Sequence, residues 1–130
     1  MIEERLTEKI LNLFFKVHHE LGFGFLEKVY KNALYMELKE AGFVCETEKP
    51  IEVYYKEKVV GQFYADIVVE DRVILELKAT KSLCLEHEFQ LINYLKATNQ
   101  EVGLLLNFGQ RPEFRRKIFT NDRKNRTYIP

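Results

Sequence analysis

Apolar residues recur every three or four positions near the start of the chain: Leu6, Ile10, Leu13, Phe14, Val17 and Leu21. That period predicts an amphipathic helix over roughly residues 4–20. Gly22-Phe23-Gly24 follows it, as glycines just past a helix end commonly do. A second stripe, Leu26, Val29, Tyr30, Ala33, Leu34 and Leu38, predicts a second helix that stops at Ala41-Gly42. From Phe43 the period shortens. Val, Ile and Tyr with short polar breaks predict strands near 43–48, 51–55, 59–69 and 73–79, with a turn at Lys56-Glu57-Lys58. Pro50 has no N–H for a ladder, so the 43–55 region is expected to be an edge or to be interrupted there. "CLEHEFQLINYLKATN" reads as a helix through Leu85, Phe89, Ile92, Leu95 and Lys96. Val102 to Phe108 is a continuous apolar run, the pattern of a strand buried on both faces and usual in parallel pairing. Arg116 to Phe119 offers a last short strand. The order α-α-β-β-β-β-α-β predicts an α/β domain with a mixed four- to five-stranded sheet flanked by helices. In it, an antiparallel meander is followed by a helical crossover to a parallel strand.

Three residues break the apolar pattern of "YADIVVEDRVILELKA": Asp66, Glu76 and Lys78. Strands deplete these types, and a core penalises unpaired charge heavily. Side chains alternate along a strand, so Glu76 and Lys78 share one face while Leu75, Leu77 and Ala79 share the other. The position of Asp66 depends on the turn. A two-residue loop sets it opposite Leu75, whereas a three-residue loop, Glu70 to Arg72, sets it directly opposite Glu76. Two carboxylates in contact repel unless a proton or cation lies between them. Oxygen ligands of this kind suit a hard divalent ion such as Mg²⁺. A lysine two residues along can orient an attacking water or stabilise charge developing on a phosphate. The plainer reading is an exposed sheet face with a Lys–Glu pair.

Composition narrows the class. With 46% hydrophobic and 31% charged residues in 130, and no low-complexity tract, this is one ordinary globular domain. Formal net charge is zero, which argues against generic polyanion binding. The balance is uneven: residues 111–130 hold seven Lys or Arg against two acids, giving an expected domain over 1–119 and a basic tail over 120–130. Cys45 and Cys84 lie far apart, which reads as two free thiols in a reducing cytosol. The acidic start is unlike a signal peptide, and no apolar run nears membrane length. A cytoplasmic protein without membrane contact is expected. His18-His19-Glu20 reads as a polar helix end, and Cys84-x-x-His87 lacks a second pair of zinc ligands.

The motifs in this order resemble those of the GxxExxY family, within the PD-(D/E)xK nuclease superfamily. "GFLEKVY" carries Gly24, Glu27 and Tyr30; Asp66 is followed by "ELK", Glu76-Leu77-Lys78; and "QLINY" carries Gln90 and Tyr94. The resemblance runs from about Glu4 to Phe119. It implies a restriction-endonuclease-like core and a phosphodiesterase using Mg²⁺ or Mn²⁺ on nucleic acid, with DNA first and RNA as the alternative. It further implies Asp66, Glu76 and the Leu77 carbonyl as metal ligands, and Glu27 as an added carboxylate acting directly or through water. Lys78 would position the attacking water. Gln90, Tyr94 and Tyr30 would order the site or meet the nucleic-acid backbone, although Tyr30 and Tyr94 equally fit core stripes. Ala65 stands where the superfamily has proline. A domain this small has few elaborations to hold duplex, so a homo-oligomer or a partner is one way to do so. The competing reading is a catalytically silent nuclease-like domain that binds nucleic acid or protein.

Overall fold

The computed structural model describes residues 2–124. Two helices, α1 (Glu4–Leu21) and α2 (Glu27–Glu40), precede the hairpin β1 (Cys45–Tyr55) and β2 (Lys58–Val69). Then come β3 (Val73–Lys78), α3 (Leu85–Lys96), β4 (Val102–Phe108) and β5 (Pro112–Ile118). The sheet runs β1-β2-β3-β4-β5; β3 and β4 are parallel and all other neighbours antiparallel. This is the mixed five-stranded sheet flanked by helices expected of a restriction-endonuclease-like core, with α3 as the crossover between its parallel strands.

One expected element is corrected. The strands foreseen at 43–48 and 51–55 are a single strand, so three strands precede α3 rather than four, and the order is α-α-β-β-β-α-β-β. Pro50 does not end β1, because β1 is an edge strand and a missing N–H there costs no ladder bond on its open side. The local irregularity is two residues earlier, at Glu48, whose φ of 51° takes it out of the β1–β2 ladder.

The sheet buries both faces. On one, Leu6, Ile10, Phe14 and Val17 of α1 and Tyr30, Leu34 and Leu38 of α2 cover Ile67, Leu75, Leu77, Leu104 and Leu106. Phe108 anchors this layer, with Phe14 edge-on at 4.8 Å and Tyr30 stacked at 4.4 Å. On the other face, Leu91, Tyr94 and Leu95 of α3 cover Ile51, Ala65, Val68, Ile74 and Leu105. The buried stripe of α3 is thus rotated from the expected one, leaving Leu85 and Phe89 exposed; Leu26 and Val29 are likewise outside the α2 stripe.

α3 seats closely on β4 because Gly103 lacks a side chain. A Cβ there would lie 2.7 Å from Leu91 Cδ1 and within 3.1 Å of two further Leu91 carbons. Leu91 is fully buried and has little room to yield. Gly103→Ala is therefore expected to destabilise by about 1–3 kcal/mol. The check is a lower urea midpoint with unchanged slope; an unchanged midpoint would mean that α3 shifts freely on the sheet.

Residues 120–124, assigned from the sequence to the basic tail, pack against the α3–β4 connection. Lys124 Nζ donates to the carbonyls of Thr98 at 3.0 Å and Gln100 at 2.6 Å, and Asn121 N–H donates to Glu101 Oε2 at 2.7 Å. The remainder of that tail, 125–130, lies outside the described residues. Among the described residues no helix is long and apolar enough to cross a membrane.

Candidate active site

The β2–β3 turn decides where Asp66 lies. The last paired residues are Val69 and Val73, so the loop is the three-residue Glu70 to Arg72 that the sequence argument requires. Glu70 and Asp71 both have positive φ, 54° and 53°, and Arg72 N–H closes the turn on the Val69 carbonyl at 2.9 Å. Glu70 is an unusual residue for that conformation. It is held by two bonds to Val44: its N–H donates to the Val44 carbonyl at 2.7 Å, and Val44 N–H donates to its Oε2 at 2.6 Å. Asp71 accepts from Lys49 Nζ at 2.9 Å and from the Gln100 amide at 3.1 Å.

From that turn the register runs Val69–Val73, Val68–Ile74, Ile67–Leu75, and there pairing stops. β2 stays with β1 but leaves β3, opening a gap at the next position, where Asp66 faces Glu76. Ala65 and Val68 both face α3 although three residues apart, so strict alternation slips at Asp66, opposite the irregular Glu48. The Asp66 side chain turns into the gap, and its Oδ2 accepts the Leu77 N–H at 2.8 Å. Glu76 Oε1 accepts the Asp66 N–H at 3.3 Å. A strand residue directs its N–H and C=O to the same neighbour, so the Leu77 carbonyl is aimed at this gap as well.

Glu76 is 6% exposed. Burial pushes its carboxyl up from the ordinary 4.5 to about 8, the Asp66 charge adds to this, and the Asp66 N–H and the Lys78 charge oppose it. The two acids are thus poised to share a proton or a cation. Oxygen donors alone, a buried like-charge pair and an adjacent backbone carbonyl suit a hard divalent ion better than a soft one. Among the described residues, no three His, Cys, Asp or Glu side chains come together as a ready-made metal cage.

The third carboxylate, Glu27, comes from α2. It opens α2, and partial shielding raises its carboxyl, with the Asp66 charge adding and the Lys78 charge opposing. The Gly24-to-Tyr30 motif has a mechanical explanation. Gly24 has φ 107°, a conformation that side chains disfavour. The buried Tyr30 hydroxyl donates to the Gly22 carbonyl at 2.7 Å and accepts from Phe25 N–H at 3.3 Å. Tyr30 is core, and through this clasp it fixes the loop that presents Glu27.

Lys78 ends β3, half-buried, with its charge acting on both Glu27 and Glu76. Beyond it, Thr80 is held by fully buried Asn107: Thr80 N–H donates to Asn107 Oδ1 at 2.9 Å, and Asn107 Nδ2 donates to the Thr80 carbonyl at 3.0 Å. Asn107 pairs with Lys78 across the ladder and so steadies the strand end that carries it. Sequence reasoning passed over this residue; a single amide inside "VGLLLNF" was the available signal. Gln90 Nε2 donates to the Tyr94 hydroxyl at 3.1 Å on the α3 face that meets the acid pair. Burial, then the charge of Glu76, raises the Tyr94 phenol. The other clusters are structural. His18 Nε2–H donates to the Gly109 carbonyl at 2.8 Å, and Cys84 N–H donates to His87 Nδ1 at 3.2 Å, capping α3.

With this geometry in view, comparisons with known proteins are informative. A family described as the PD-(D/E)XK nuclease superfamily matches residues 4–117. A search of curated proteins gave no match. Among solved structures, SSO0001 aligns with TM-score 0.57 and 22% identity, covering 72% of this chain and 50% of its own. The alkaline exonuclease LHK-Exo from Laribacter hongkongensis aligns with TM-score 0.39 and 10% identity, covering 73% and 56% respectively. The chain therefore spans about half the length of each. The first likeness speaks for the fold; the second is too distant to add to it.

Proposed function

Because the chain belongs to the PD-(D/E)XK nuclease superfamily, we propose that it is a Mg²⁺- or Mn²⁺-dependent nuclease hydrolysing phosphodiester bonds of DNA. The observation that carries this reading is the meeting of the Asp66 and Glu76 carboxylates in the gap where β2 parts from β3. Asp66, Glu76 and the Leu77 carbonyl would hold the ion, with Glu27 reaching it through water. The ion would supply Lewis acidity toward a phosphoryl oxygen and acidify water. Lys78 orients the attacking water and offsets charge developing on the phosphate. Gln90 and Tyr94 set the wall of the site, and Tyr30 and Asn107 hold its loops. The Gly24, Glu27 and Tyr30 arrangement supports placement in the GxxExxY subfamily. The free thiols of Cys45 and Cys84 support a cytoplasmic location, and the fold is assigned to a single domain.

The test is calorimetric titration with Mg²⁺ and Mn²⁺, run beside cleavage assays on a panel of DNA and RNA substrates. Asp66→Asn is expected to abolish both metal binding and cleavage. The zero net charge and small size leave a second reading, a nuclease-like domain that binds nucleic acid without turnover. Absence of metal binding even with nucleic acid present would select that reading over the enzyme.

A further inference from the structure

A groove of about 560 Å³ opens between the β1–β2 hairpin and α3, within the size range of small-molecule pockets. It exists because the hairpin leaves β3 at Asp66, so its far half stands apart from the sheet while α3 remains seated on it. Phe63 from β2 and Phe89 from α3 line it at 44% and 58% exposure, and Tyr94 lies beneath with its ring 5.6 Å from Phe63. Phe63 and Phe89 are large aromatic rings that contribute little to the core. Gln90 and Asn93, whose amides offer both donor and acceptor, also line the groove, as does Lys96.

We infer that this groove receives an unpaired nucleobase of the strand being cut, so that the substrate is single-stranded or locally unpaired nucleic acid. The inference rests on the nuclease reading for its site and extends it to a substrate class. The groove adjoins the strand that carries Asp66: Tyr94, which lines it, packs in one cluster with Ala65, and Phe63 stands three residues before Asp66 on β2. A strand with a phosphate at Asp66 and Glu76 that runs along β2 would bring a nearby nucleotide to Phe63 and Phe89. Bases in a duplex are stacked and paired and cannot offer their faces to these rings, whereas unpaired bases stack on aromatic side chains regardless of sequence. Charge points the same way. Duplex binding without base contacts depends on neutralising phosphates with Lys and Arg. Here twenty basic residues are offset by twenty acidic ones, so stacking has to carry more of the affinity.

The experiment measures binding of a labelled twelve-nucleotide DNA containing 2-aminopurine, as single strand and as blunt duplex, to the full chain in EDTA, where no cleavage occurs. Single strand is expected to bind at least tenfold tighter than duplex, with 2-aminopurine fluorescence quenched by stacking. Phe89→Ala and Phe63→Ala are each expected to weaken single-strand binding by about 5- to 150-fold. Phe89 is exposed on a helix, so its replacement preserves the fold, which the melting temperature verifies. Equal binding by wild type and both variants, or preference for duplex, overturns the inference. So does a concentration-dependent dimer broken by Phe89→Ala with oligonucleotide binding unchanged, which would assign the groove to a second copy of the chain. Parallel assays with Mg²⁺ separate the two readings. Cleavage that persists undiminished in both variants overturns the groove and leaves the nuclease standing. Stacked binding that depends on Phe63 and Phe89, without cleavage of any substrate, overturns the nuclease and leaves the groove.

Discussion

Lys78→Ala is expected to lower Mg²⁺-dependent cleavage by about 10²–10³-fold while leaving metal affinity within a few-fold of wild type. The ammonium is not a ligand, so its loss removes a group that acts on water and on developing phosphate charge rather than one that holds the ion. It also moderates two acids, since its charge opposes the rise of both the Glu27 and the Glu76 carboxyl. Removing it favours the protonated forms of both, so the remaining activity should shift to higher pH. Glu76→Ala is the contrast: metal binding and cleavage are expected to disappear together. Calorimetry and single-turnover cleavage on the same preparations separate these patterns. A Lys78→Ala enzyme with unimpaired rate would remove Lys78 from the chemistry, and one that also lost metal affinity would make it a structural support of the acid pair.

Glu76→Gln is expected to stabilise the protein at alkaline pH while abolishing cleavage. Glu76 in the folded chain holds its proton up to about pH 8, whereas in the unfolded chain it releases it near 4.5. Between those values the folded state binds more protons than the unfolded state, so stability falls as pH rises. Fully developed above pH 8, the loss is at most about 5 kcal/mol. The glutamine keeps an oxygen for the Asp66 N–H, adds a donor toward the Asp66 carboxylate and carries no charge to bury. Thermal melts from pH 5 to 9 should show wild type declining across this window and Glu76→Gln holding nearly level, with a gap of order 10 °C at pH 9. Mg²⁺ at pH 8 should raise the wild-type melting temperature by mass action and leave Glu76→Gln unmoved. Parallel curves for the two proteins, with or without Mg²⁺, would show that the acid pair carries no buried charge.

Much of the fold was legible because its elements have clear periods. α1 and α2 follow their 3.6-residue stripes, and the apolar run Val102 to Phe108 is an interior strand, buried along its whole length. The crossover to parallel pairing followed from the order of elements alone. β1 was misread because proline has two meanings in a strand, and only strand order tells an edge from a break. The stripe of α3 was misread for a related reason. Leu85 and Phe89 fit a helical period as well as Leu91 and Tyr94 do, and the close approach of Gly103 to Leu91 selects which face meets the sheet.

The sequence by itself determined the chemistry available here: two carboxylates and a lysine at spacings that permit a shared face, and a third acid at the head of a helix. Local rules suffice for that, because strand alternation and turn length depend on neighbours in the chain. Only the tertiary structure decided how these groups meet. The three-residue turn is held by Val44, Lys49 and Gln100, all distant in sequence, and the departure of β2 from β3 turns Asp66 into the gap beside Leu77. That departure also exposes Phe63 and Phe89 across a groove that no periodicity could reveal. Burial of Glu76, and with it the proton it holds, comes from packing on both sides of the sheet, a property of the assembled layers rather than of any segment.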